Sequence, residues 1–156
     1  MTSTSHRSLA ALLLVLAGGS IFGCADAFIG SVHLSKEGDD AVEVLRTARA
    51  FSDAAVGFAG ITPETVASFR MLLEEPNADG AFKSLLGTST KPGKLYALAG
   101  LYFTDREYME DAAAEFLEDG SRVETNFGCI IDSQRVSDLT VDIVNGSYPA
   151  SFRGNF

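Results

Sequence analysis

The chain has 156 residues, 46% of them apolar, with 21 acidic against 12 basic side chains and a net charge of −9. That length suits one domain with a real core. The charge excludes the basic face that nucleic acid demands, and it disfavours broad adsorption onto anionic lipid heads.

Met1–Ser8 is polar with one fixed positive charge at Arg7, Leu9–Ala17 is uninterrupted apolar sequence, and Gly18, Gly19 and Ser20 follow. A charged start, an apolar run and a small-residue zone in that order predict an export signal. The run is too short to remain as a membrane-crossing helix, which needs about 20 residues. Two endings compete. Ile21-Phe22-Gly23-Cys24 resembles the lipobox of bacterial lipoproteins. The resemblance implies a signal peptide over 1–23, diacylation of the Cys24 sulfur and membrane attachment through two acyl chains, enough for stable anchoring. Ala25-Asp26-Ala27 instead offers an A-x-A site, which ends the signal at 27 and releases a periplasmic or secreted protein without Cys24. The leaflet stays open under the first ending.

Residues 24–38 read as a tether, 39–146 as a helical domain, and 147–156 as a C-terminal tail packed on it. Asp39 and Asp40 are suited to cap a helix running to about Gly57, with Val42, Leu45, Ser52 and Val56 on one face. Thr62-Pro63-Glu64 predicts the next start, and Val66, Phe69, Leu72 and Leu73 give it an apolar stripe up to Pro76. A short helix follows Asn77 or Asp79, with Phe82, Leu85 and Leu86 inward and Gly87 as its stop. Thr90-Lys91-Pro92 opens another, and Leu95–Phe103 has no charge on any face, which predicts a helix buried all round. Thr104-Asp105-Arg106-Glu107 fits a capping box for a helix to about Asp119. Beyond Gly120, Ser121–Asn126 alternates loosely and Phe127–Ile131 is a compact apolar run. Ser133–Val144 suits one helical face through Val136, Leu139, Thr140 and Ile143, or equally a strand.

The expected fold is therefore mainly α, a small bundle or irregular array of antiparallel helical hairpins, with a short β segment near 121–131. Lys94–Thr104 loosely resembles the inner helix of a HEAT-type repeat, but no clean repeat recurs at about 40–47 residues. More broadly, the layout is similar to that of small bacterial lipoproteins.

Only Cys24 and Cys129 occur. With Cys24 acylated or removed, Cys129 lacks an intramolecular partner, and its apolar neighbours predict an inert buried thiol rather than a nucleophile paired with His33. Glu75, Asn77, Asp79 and Gly80 match the start of an EF-hand calcium loop, but Leu86 stands where the bidentate Glu belongs. Glu107, Glu110, Asp111, Glu115 and Glu118 read as a solvated helix face, as do Asp138 and Asp142; Tyr96, Tyr102 and Tyr108 read as core residues. No catalytic, cofactor or metal site is expected, and Cys24, as the lipidation site, is the one functional residue the sequence names. The leading expectation is a non-catalytic lipid-anchored or periplasmic envelope protein acting through protein contacts. A secreted hydrolase with a scattered site, or a periplasmic small-ligand binder, remains the alternative.

Overall fold

The computed structural model describes residues 33–153. The signal segment, both candidate cleavage sites, Cys24 and the first part of the expected tether lie outside the described residues. Helix α1 (Lys36–Arg46) opens on Ser35, whose Oγ accepts from the Gly38 N–H at 3.0 Å. The same serine donates its hydroxyl and, at 3.1 Å, its N–H to Glu75. Asp39 and Asp40 therefore lie inside the helix rather than capping it, and the last residues of the segment expected as tether already belong to the fold.

α1 does not run on to Gly57. It ends at Arg46, where the Thr47 hydroxyl donates back to the Glu43 carbonyl at 2.9 Å and closes the last turn. Strand β1 (Ala50–Val56) follows, paired in parallel with β2 (Arg122–Gly128) through Ala50–Glu124, Phe51–Thr125 and Ser52–Asn126. A strand partner far along the chain has overridden the local helical spacing. Antiparallel β3 (Ile130–Arg135) completes a sheet of order β1-β2-β3, registered from Arg122–Arg135 to Phe127–Ile130. Ser133–Val144 is thus divided between the end of β3 and helix α6 (Val136–Val144), whose Val136, Leu139, Thr140 and Ile143 are buried.

Between β1 and β2 come α2 (Glu64–Leu73), α3 (Ala78–Thr88), α4 (Lys91–Thr104) and α5 (Arg106–Leu117). Thr62 does not cap α2; Pro63 takes that place with no side-chain bond, and its carbonyl accepts from Val66 and Ala67. Thr104 likewise ends α4, and Asp105 caps α5 by accepting from the Tyr108 N–H at 3.1 Å. The protein is mainly α-helical with one small sheet.

α4 is the core element. Leu95 through Leu101 are all buried, as its charge-free sequence requires. Its Thr90 cap accepts from Gly93 and donates to the Ala48 carbonyl at 2.6 Å, which binds the start of α4 to the turn before β1. The Tyr96 ring packs tilted against Phe51 at 4.9 Å, and its hydroxyl accepts the Ser52 N–H at 2.9 Å. That bond gives a β1 backbone donor a partner outside the sheet ladder. Helix α7 (Ser147–Arg153) closes the core: Phe152 is fully buried, 5.4 Å from the rings of both Phe51 and Phe69, and its carbonyl accepts from Arg70 at 2.6 Å.

Gly93 and Gly100 let α4 come this close. A Cβ at Gly100 would collide with the Phe82 ring, and one at Gly93 with the Leu45 carbonyl. Gly87, in α3, faces open space. Gly100→Ala is expected to lower unfolding stability by about 1–3 kcal/mol, whereas Gly87→Ala raises it by about 0.5–1 kcal/mol. Urea unfolding midpoints of the two variants check this.

Burial pushes the Tyr148 phenol up to about 12, helped by the negative charges of Asp142 and Asp53. The folded state thus holds Tyr148 neutral, while the unfolded phenol ionises near pH 10. The stabilisation is complete below about pH 10 and is lost as pH rises towards 12. Melting temperatures measured from pH 9 to 12 should fall less steeply in Tyr148→Phe than in the wild type.

Candidate functional site

Two turns meet at the far end of β1 and β2. After Val56 the chain turns through Gly57–Gly60, with φ of +70° at Gly57 and +61° at Gly60, conformations that glycine adopts without strain. Ile61 then pairs back onto Val56 through N–H to carbonyl bonds of 2.8 and 2.9 Å. The Gly57 N–H donates to the Gly128 carbonyl at 2.7 Å, which fastens this turn to the β2–β3 turn beside it. Gly128 itself has φ +57°, and Cys129 makes the reversal into β3.

The side chains on these turns face water. Phe58 is 104% exposed, Ile61 66%, Ile130 68% and Ile131 72%. No Asp, Glu, Lys or Arg occurs in residues 54–63 or 125–131. Single exposed apolar residues are ordinary, but four on adjoining turns make a patch of the kind that marks contact sites.

This overturns the reading of Cys129 as a thiol buried among apolar neighbours. Phe127 packs inward, 5.1 Å from the Tyr148 ring and 6.3 Å from Phe51. The positive φ at Gly128 then swings the next three residues outward, and Cys129 is an exposed free thiol instead of a buried one. Nor does it meet His33, which sits before α1, where its carbonyl accepts from Asn77 at 2.9 Å.

The remaining candidates are dispersed. Glu75 is held by Ser35, which keeps its carboxyl below the usual range, and Asp79 faces Lys83 at 3.4 Å. The loop that resembled a calcium site thus docks the start of α1. Among the described residues, no group of three or more His, Cys, Asp and Glu could hold a metal. The four acids of α5, Glu107, Glu110, Asp111 and Glu115, and Glu118 just after it are all exposed, with Glu110 paired to Arg106 at 2.9 Å. Asp138 is exposed and Asp142 half-buried. Tyr108, expected in the core, is exposed, lying 4.9 Å from the Lys83 ammonium. Lys83 also meets Asp105 at 2.6 Å, which holds that capping carboxyl below its ordinary range.

Depressions among the described residues are shallow. One, of ≈ 200 Å³, lies between α1 and α2 and is lined by Glu37, Asp40, Glu64, Ser68 and Met71 among others. The second, of ≈ 240 Å³, is lined by Lys91, Lys94, Glu115, Phe116 and Asp119. There Lys91 bonds Asp119 at 2.7 Å, and with Ser121 it draws that carboxyl down to about 2. Both are smaller than the roughly 300–1,000 Å³ typical of ligand pockets. Thr125 Oγ1, on β2, is buried without a hydrogen-bond partner, and neither depression includes it.

No family model matches the chain, and no curated protein or solved structure matches it either. Among the described residues no helix is long and apolar enough to cross a membrane.

The exposed thiol has a direct chemical readout. In Cys24→Ala protein, where Cys129 is the remaining cysteine, a disulfide reagent should label the folded state within a few-fold of the unfolded rate. Labelling that waits for denaturant would instead place the thiol in the core.

Proposed function

We propose that this chain is a non-catalytic envelope protein, held at a membrane through a diacylated Cys24, that works by surface contact rather than by turnover. The observation that supports this best is the apolar tip of Phe58, Ile61, Ile130 and Ile131, which a freely diffusing domain would gain nothing by exposing. The dispersal of the titratable side chains over separate elements fits the same reading, because catalysis requires them to converge. In this reading the signal peptide spans 1–23 and the protein resides in the cell envelope, in a leaflet left open. A partner protein is met by a surface left free of the membrane. The helix pairs α1–α2 and α3–α4 serve as hairpins of a small rigid array that carries the contact surface.

Intact mass of the membrane fraction tests the anchor. A mature chain beginning at Cys24 with an added diacylglyceryl group is expected for the wild type, and Cys24→Ala should lose both the added mass and the membrane association. A species beginning at Phe28 without acyl mass rejects the anchor and leaves a periplasmic or secreted protein.

A further inference from the structure

We infer that the paired turns at the sheet tip seat shallowly in the surface of the bilayer to which Cys24 is attached, so that the domain holds the membrane at two points. This rests on the Cys24 anchor for its occupant; the tip itself rests on the fold.

Three properties of the tip favour a bilayer over a protein pocket. Phe58 protrudes completely, and Ile61, Ile130 and Ile131 on the adjoining segments are 66%, 68% and 72% exposed. A partner protein needs a matching cavity for such a knob, whereas a lipid interface accepts any convex apolar shape. The base of the tip is tied internally as well. Val56 and Ile61 exchange both bonds, Gly60 N–H donates to Gly57 at 3.1 Å, and Gly57 N–H donates to Gly128. Pairing backbone groups within the chain is the condition a water-poor medium imposes. Finally, neither turn carries a fixed charge that would have to be stripped of water, and the residues that border the two uncharged stretches on the strands, Asp53 and Asp132, are acidic rather than basic. Seating is therefore driven by apolar burial, and anionic lipid does not strengthen it for a chain of net charge −9.

Tether length makes the bilayer the nearest apolar phase. Cys24 and His33 are separated by a stretch whose full extension is about 30 Å at roughly 3.3–3.6 Å per residue. A domain of this size has a radius of gyration of about 14 Å. That reach exceeds the domain's radius of gyration, and among the described residues Phe58, Ile61, Ile130 and Ile131 are the most exposed large apolar side chains. The second contact forms at high effective concentration, so even weak intrinsic affinity is enough to orient the domain.

The chain lacks tryptophan, so Phe58→Trp places a sole indole at the tip. The full-length variant, purified with its own lipid, is reconstituted into phosphatidylcholine vesicles whose acyl chains carry bromine at shallow or deep positions. Expected are a blue-shifted emission and stronger quenching by shallow than by deep bromine. Tyr108→Trp, on a helix that packs on α4 and α6, should stay unquenched. In Cys24→Ala protein, Phe58→Trp should still be quenched at high lipid, and Phe58→Ala should lower vesicle partitioning of the unacylated chain by about tenfold. Water-like emission from an acylated Phe58→Trp protein overturns the tip while leaving the anchor standing. Equal quenching at positions 58 and 108 also overturns it. So does a blue shift in native membranes without bromine quenching in vesicles, since that assigns the tip to a protein partner. Absence of acyl mass removes the anchor alone, and quenching of the Cys24→Ala protein then decides the tip by itself.

Discussion

Everything else in the domain is arranged around the close approach of α4 to its neighbours. A helix with no charged face is stable only if every side is covered, and α4 is covered by α3, α5, α6, α7 and the sheet. Gly93 and Gly100 remove the Cβ atoms that would hold off the Leu45 carbonyl and the Phe82 ring. With those gaps closed, Tyr96 reaches both Phe51 and the β1 backbone, and Phe152 completes the aromatic centre. Loosening α4 would therefore disturb the sheet before it disturbed the outer helices, because Tyr96 bridges the two.

Much of this was legible in the residues, and the failures have a common physical origin. α4 follows from its lack of charge, and α3 from Phe82 and Leu85 spaced for one face. β1 was missed because Ala50–Val56 carries a spacing compatible with a helix. Its strand state depends on Thr125 and Asn126, which no local window contains. Caps were displaced by one residue or more for a related reason. Asp105 and Thr104 can both cap, and the extra turn of α4, closed by Thr104 Oγ1 on the Gly100 carbonyl, decides between them.

The candidate site was the least legible part, and Cys129 shows why. An apolar run such as Phe127–Ile131 describes a core segment and a protruding turn equally well, since sequence records hydrophobicity but not direction. The Gly128-Cys129 pair was the available signal: glycine between apolar neighbours marks a reversal when left-handed backbone is needed. Phe58 offered still less, because its turn joins the tip only through the Gly57–Gly128 bond between distant segments. The ion pairs elsewhere were easier to anticipate and matter less. Arg46 with Glu43 and Lys36 with Asp40 are solvent-exposed contacts within one helix, which water and salt screen.

The wiring of the sheet also dictates when the domain can exist. β1 has no strand partner until β2 has been made, and four helices are synthesised between them. Phe51 waits longer still, for Phe152. Chains whose decisive contacts join remote segments fold late and slowly. The emerging chain contains helices that can flicker but no finished sheet, and the globule locks only once α7 has been made.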